Sequence, residues 1–377
     1  MFGRRIHLFD LFGFPVRADL SWFVVAVLLA WSYATLFLPP QYPDLAPSTL
    51  WAMAVTLTLG LFASVILHEV AHALAARHYE LPIKGITLFV FGGVAEMSDE
   101  PPHPRAEFVV AVVGPLASLA IGGAMALAWL LGSGAGLAPP ARAVAGYLSA
   151  MNFLLALFNM IPAFPLDGGR VLRSILWDWQ KSLTRATRIT SAIGSAFGIG
   201  LIALGGILFL EQAFVAGVWM VLIGFFLRNA ARMSYRQVLL RRVLEGEPVS
   251  RFMHVHPIAV PRAISVQDLV QEFVLRHHHK MFPVVDGERL VGCVTTLRIK
   301  GLPREEWPRQ TVGSIAESCD PDNTVSPETD AMTALSKMSR NRSARLIVAE
   351  GDRLVGILSL KDLLKFFSLK TELESGR

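Results

Sequence analysis

Charge is scarce in this chain. Only 17 % of its 377 residues are Asp, Glu, Lys or Arg, where a soluble globular domain carries about 25 %. That shortage counts against an ordinary soluble domain. Cysteine is almost missing. Cys293 and Cys319 stand alone and form no CxxC, which excludes a disulfide framework and a cysteine-ligated zinc and suits a reducing compartment. No groove-like alternation of basic and aromatic residues occurs, so the net charge of +5 is no signature of nucleic-acid binding. A small-residue cleavage site is also lacking after the first apolar run. Tyr33, Phe37, Pro39 and Pro40 follow it, and the segment reads as a retained membrane helix, not a signal peptide.

What the chain has is apolar length. Hydrophobic residues make up 53 % of it and its mean hydropathy is +0.47. Uncharged runs occupy 20–38, 51–67, 108–131, 143–166, 189–210 and 212–227. About 20 helical residues cross a hydrocarbon core of about 30 Å. The runs therefore predict about six transmembrane helices, the second extended through its histidines to Ala76 and the sixth being the shortest. Residues 1–228 hold 13 of the 35 Lys and Arg. Six crossings put 40–50, 132–142 and the Glu211 turn on one side, where Arg142 is the single basic residue. The other side carries the remainder, so both termini are expected in the cytoplasm.

The pattern changes near Arg228, where apolar runs shorten to strand length. The expected organisation is a membrane domain over 1–232, a linker over 233–248, and two α/β copies over 249–310 and 311–370. The copies are visible as a repeat: "GERLVGCVTTLRI" (287–299) aligns with "GDRLVGILSLKDL" (351–363), five of thirteen positions being identical. Helices are predicted over 266–277 and 328–339, each before a β-rich stretch. Within the membrane half, "LPIKGITLFVFGGVAEMSDEPPHP" (81–104) alternates around a Gly-Gly turn and predicts a re-entrant β-hairpin. Its backbone must be paired or wetted, so it belongs beside a water-accessible cavity. "NMIPAFPLDGGR" (159–170) breaks a spanning helix with two prolines and two glycines.

The chemistry lies in "HEVAH", residues 68–72. From Trp51 to Ala76 the only formally charged residue is Glu69, and ionisable groups in a spanning helix are costly. Positions i and i+4 share a helix face, so His68 and His72 can offer two nitrogens to one ion, with Glu69 beside them to reach a metal-bound water. A third ligand must come from another segment. Asp19, Glu107, Asp167 and Glu211 are the candidates. The first, second and fourth sit at helix ends, where a solvated charge is ordinary. Asp167 follows the broken helix and is favoured, its competing reading being a helix cap.

"HEVAH" on a membrane helix with "NMIPAFPLDGG" resembles the site-2 protease family of intramembrane zinc metalloproteases, and "FGGVAEM" and "GPLASL" (114–119) match as well. The tail resembles a tandem pair of CBS domains, as in prokaryotic members carrying such modules. The resemblance implies one Zn2+ held by His68, His72 and Asp167, with Glu69 as acid/base and Asn159 assisting substrate or transition state. Where the family motif after Gly114-Pro115 often has asparagine, Ser118 stands here. It implies a membrane-anchored protein substrate, a prokaryotic inner membrane, and pairing of chains through the CBS domains. ATP or AMP is implied at Gly356, Ser359 and Asp362. In the first CBS copy Gly292 and Thr295 match, but Arg298 replaces the aspartate. The competing function is a CBS-gated transporter or channel, since broken helices and buried charges suit both.

Overall fold

The computed structural model describes residues 5–90, 92–97, 100–341 and 343–375. They divide into two compact units, Met1–Val238 and Leu239–Arg377.

The first unit opens with strands β1 (Arg5–Leu11) and β2 (Phe14–Asp19), then helix α1 (Leu20–Ser32), continued by a wide helical turn to Phe37. Helix α2 (Pro47–His78), strands β3 (Ile83–Phe89) and β4 (Gly92–Met97), and helices α3 (Pro104–Leu131), α4 (Pro139–Asn159), α5 (Asp167–Gln180), α6 (Leu183–Leu210) and α7 (Phe214–Leu244) follow. Among the described residues six helices are long and apolar enough to cross a bilayer; α5 is the short amphipathic exception. The starts are written in the sequence. Pro47, Pro104 and Pro139 occupy first-turn positions, where the missing N–H costs nothing. The Asp19 carboxylate accepts from Ser21 N at 3.0 Å and caps α1. The sixth span exceeds its uncharged run because α7 continues as a basic helix to Leu244.

The expected hairpin is present as β3 and β4, but it is half of a larger sheet. Strand order is β1-β2-β3-β4, with β2 parallel to β3 (Val16↔Ile86) and the other pairs antiparallel. The N-terminal hairpin escaped the sequence reading because it runs straight into a membrane helix. Its alternation is real, since Phe14, Val16 and Ala18 are all buried. They pack with Ile86 and Leu88 against Val65, Ile66, Val70 and Ala73 of α2. Burying each large side chain contributes about 1.5–3 kcal/mol. The sheet is thereby fixed along the histidine-bearing helix, with β4 at its edge.

In the second unit the sheet order is β6-β7-β8-β11-β10-β9, with β5 on β11. These strands are β5 (His254–Val255), β6 (Val260–Pro261), β7 (Met281–Asp286), β8 (Arg289–Thr295), β9 (Thr324–Val325), β10 (Arg345–Glu350) and β11 (Arg353–Ser359). The repeat is legible in the register. A bulge falls between Val284 and Val285 in one hairpin and between Val348 and Ala349 in the other, each 64 residues apart. The copies meet at the equivalent pair Arg289↔Arg353. Helical stretches over 266–277 and 331–340 agree with the expected positions.

Candidate active site

Helix α2 presents His68 and His72 one turn apart, both almost fully buried. Asp167 is the first residue of α5 and is also buried. The competing reading, a cap for α5, does not describe its side chain, because that carboxylate turns to the histidines. Asp167 Oδ2 lies 3.1 Å from His68 Nε2 and 3.3 Å from His72 Nε2, and the two Nε2 atoms are 3.1 Å apart.

The other nitrogen of each ring is engaged by α3. His72 Nδ1–H donates to the Val110 carbonyl at 2.6 Å, and His68 Nδ1 lies 2.9 Å from Ser118 Oγ. A carbonyl can only accept, so His72 carries a proton on Nδ1, which leaves Nε2 of the neutral ring to face the triangle as a metal ligand. Gly114 stands between these partners. A Cβ there would lie 2.2 Å from His72 Nε2 and 2.8 Å from His68 Nε2. Val110, Gly114 and Ser118 thus form one stripe of α3 at i, i+4 and i+8. Pro115 offers no N–H to the Ala111 carbonyl, so the helix ladder is already interrupted beside Val110.

The triangle fits a zinc ion. Tetrahedral ligands at about 2.0–2.1 Å are roughly 3.3 Å from one another, close to the three separations above. Two ring nitrogens and a carboxylate oxygen converging on one point are a donor set that one cation would join. Among the described residues this is the one group of three or more such side chains with that geometry.

The loop before Asp167 is held by close backbone approach. A Cβ at Gly168 would meet Met160 O at 2.2 Å, and one at Gly194 of α6 would meet Phe164 O at 1.9 Å. Arg173, one and a half turns along α5, is buried between Glu107 and Glu100, the latter at 3.2 Å, and its guanidinium lies over the Phe164 ring at 5.1 Å. Sequence reasoning placed Glu107 with the solvated helix ends. It is fully buried, because its partner lies 66 residues away and no local pattern announces it. Breaking such a pair costs about 3–5 kcal/mol, so the network ties α5 and its aspartate to α3.

Glu69 points to the sheet. Its Oε2 accepts from Ala95 N at 3.0 Å. That N–H therefore points away from β3, out of the outer edge of β4. Asn159, the last residue of α4, lines the same cavity as Glu69, His68 and Asp167. In the second unit, Ser359 Oγ donates to Asp362 Oδ2, whose other oxygen is 3.1 Å from His254 Nε2. Thr295 Oγ1 accepts from Arg298 N at 3.4 Å, while Arg298 Nε donates to Glu317 at 2.7 Å. A Cβ at Gly356 would meet His254 O at 2.8 Å, and one at Gly292 would meet Glu317 O at 2.3 Å. These tail residues therefore also serve capping and close strand passage.

By class, a polytopic membrane protein whose buried His–His–Asp set adjoins a glutamate is a metallopeptidase. The model of Peptidase family M50 matches residues 56–145 and 136–204, and that of the CBS domain matches 249–301 and 312–369. Rip3 of Mycobacterium tuberculosis, whose name describes a zinc metalloprotease, is 33 % identical over 95 % of this chain and 91 % of its own. Zinc metalloprotease MJ0392 of Methanocaldococcus jannaschii is 29 % identical over 98 % of both chains. The solved Site-2 Protease from Methanocaldococcus jannaschii is 28 % identical, covers 61 % of this chain and 94 % of its own, and superposes with a TM-score of 0.44. The chain belongs to Peptidase family M50 and carries a pair of CBS domains.

Proposed function

We propose that the protein is an intramembrane zinc endopeptidase that hydrolyses peptide bonds in or near transmembrane segments of membrane-anchored regulatory proteins. The convergence of His68 Nε2, His72 Nε2 and Asp167 Oδ2 within 3.3 Å of one another carries the reading. Those three residues hold the ion. When bound, zinc lowers the pKa of water in its open position to about 7 and polarises the scissile carbonyl. Glu69 takes a proton from the attacking water and delivers it to the leaving nitrogen as the C–N bond breaks, a role worth typically 10²–10⁴-fold. The Asn159 amide donates to the substrate carbonyl. A substrate helix hides its scissile bond, so it must open, and the edge strand β4 holds the opened strand by backbone pairing.

The basic-residue asymmetry supports cytoplasmic termini in a prokaryotic inner membrane. With the division at 233–248, the same asymmetry supports a cytoplasmic CBS pair, in which Gly356, Ser359, Asp362 and Thr295 bind ATP or AMP and through which two chains associate. The transporter reading is set aside, since family membership and the donor set both favour hydrolysis.

The test is a zinc measurement coupled to cleavage. Purified protein should carry one zinc per chain, lost in His68→Ala, while Glu69→Gln keeps the zinc and loses cleavage of a co-expressed membrane-anchored regulator by at least about 100-fold. Full cleavage by Glu69→Gln would defeat the assignment.

A further inference from the structure

The cavity at the triad has two chambers that differ in their walls. One, of about 570 Å3, is the more polar of the two: it carries Glu96, Arg170, Arg173 and Gln237 among apolar walls such as Val94 and Phe164. The other, of about 320 Å3, is apolar, with Leu155, Phe158, Trp219 and Ile223 in its walls. Both contain His68, Glu69, Gly93 and Asn159, so they join at the chemistry.

Two independent elements cross that junction in the same direction. On α7, Trp219 and Ile223 face the apolar chamber, Phe226 and Leu227 both chambers, and Ala230, Ser234 and Gln237 the polar one. The spacing of three and four residues makes this a single helix stripe. Along about 27 Å at 1.5 Å per residue it turns from aromatic and aliphatic to hydroxyl and amide. Strand β4 spans the same junction in fewer steps. Gly92 borders only the apolar chamber, Gly93 both, and Val94, Ala95 and Glu96 only the more polar one. Gly93 is needed here, for a Cβ would lie 2.6 Å from Glu69 Cγ. An extended peptide laid along β4 therefore passes from the apolar chamber, over Glu69, into the polar one.

We propose that the apolar chamber is a side-chain subsite that seats a large apolar residue on the membrane side of the scissile bond. The enzyme thus cuts where an apolar segment passes into a polar one. The inference rests on the proteolytic reading and adds to it a substrate class. One methylene in such a pocket is worth about 10–200-fold in discrimination, so the subsite is large enough in effect to be read from side-chain preference.

The test uses full-length protein in detergent with stoichiometric zinc. The probes are peptides with one apolar stretch and a Ser/Gln flank, the membrane-side residue being Ala, Val, Leu, Phe or Trp. Cleaved bonds are located by mass spectrometry. Leu and Phe should exceed Ala by at least about tenfold in kcat/KM. In Glu69→Gln, fluorescence anisotropy should give the same rank for binding without turnover. Ile223→Phe, which fills the chamber, should move the optimum to Ala or Val. Leu155→Ala, which enlarges it, should move the optimum toward Phe and Trp, and this second variant stands if the first fails to fold. A flat profile, or a rank unmoved by either variant, overturns the subsite while cleavage itself survives. A zinc-loaded wild type that cleaves none of the peptides, with a Glu69→Gln protein that binds none, overturns both the subsite and the proteolytic reading.

Discussion

Gly114 and Ser118 show how much of a metal centre lies outside its ligands. A methyl group at Gly114 would project to within 2.2 Å of His72 Nε2, into the space the ion needs. Gly114→Ala should therefore reduce zinc to well below one per chain by elemental mass spectrometry, while the helical fold by circular dichroism is retained. Ser118 acts on ring orientation. Its Oγ holds His68 Nδ1 at 2.9 Å, and losing such an outer partner typically weakens metal affinity 10–100-fold. Ser118→Ala should show that loss in competition with a chelator, and Ser118→Asn, which restores an acceptor, should recover part of it. The proposed ligand set was legible in the sequence because "HEVAH" fixes its geometry locally and only one candidate carboxylate follows a broken helix, and the structure brings these three side chains together. Ser118 was visible only as a departure from a motif. Its partner lies 50 residues away, and nothing in "GPLASL" says which ring it meets.

At the scale of elements, six spans and the β3–β4 hairpin were readable, since length, hydropathy and alternation are local properties. Two things were not. The β1–β2 hairpin pairs with β3 across the whole of α2, a non-local choice. Which strand of the hairpin lies at an edge depends on that pairing: with β2 on one side, β3 is interior and β4 is the hairpin strand at the edge. A proline in "ITLFVF" would therefore disrupt the sheet itself and would not isolate substrate pairing. The better probe is the peptide. Outward amides of an edge strand recur every second residue, so backbone bonds to β4 should involve alternate substrate positions. N-methylation scanned along a bound peptide should weaken its affinity for Glu69→Gln protein with a period of two, by several-fold at sensitive positions and little at the others. Uniform sensitivity would show that the opened strand is held by its side chains and not along β4.

At the scale of the whole chain, a CBS repeat follows a membrane peptidase, and the two copies are unequal in a way the sequence displayed. Arg298 replaces the aspartate of the first copy, and it is occupied by Glu317 at 2.7 Å. In the second copy Asp362 is intact, but its two oxygens are engaged by Ser359 and by His254. A nucleotide that used this carboxylate for its ribose hydroxyls would compete with the imidazole. At the proposed site the contact is a competitor which no reading of the Gly-x-x-Ser-x-x-Asp pattern could reveal, because His254 lies 108 residues away. Calorimetry of AMP or ATP with the full-length protein should give one site per chain. His254→Ala should bind several-fold more tightly, since the carboxylate is released, whereas Asp362→Ala should bind at least about tenfold more weakly, a loss of about 1.4 kcal/mol. Because a ligand of the folded state raises its stability by mass action, the same ranking should appear in the thermal midpoint at saturating AMP. Two equal sites per chain would mean that Arg298 serves the phosphate in place of the missing carboxylate. An Asp362→Ala protein with unchanged affinity would place the nucleotide elsewhere and leave Ser359 and Asp362 as the cap of the final helix.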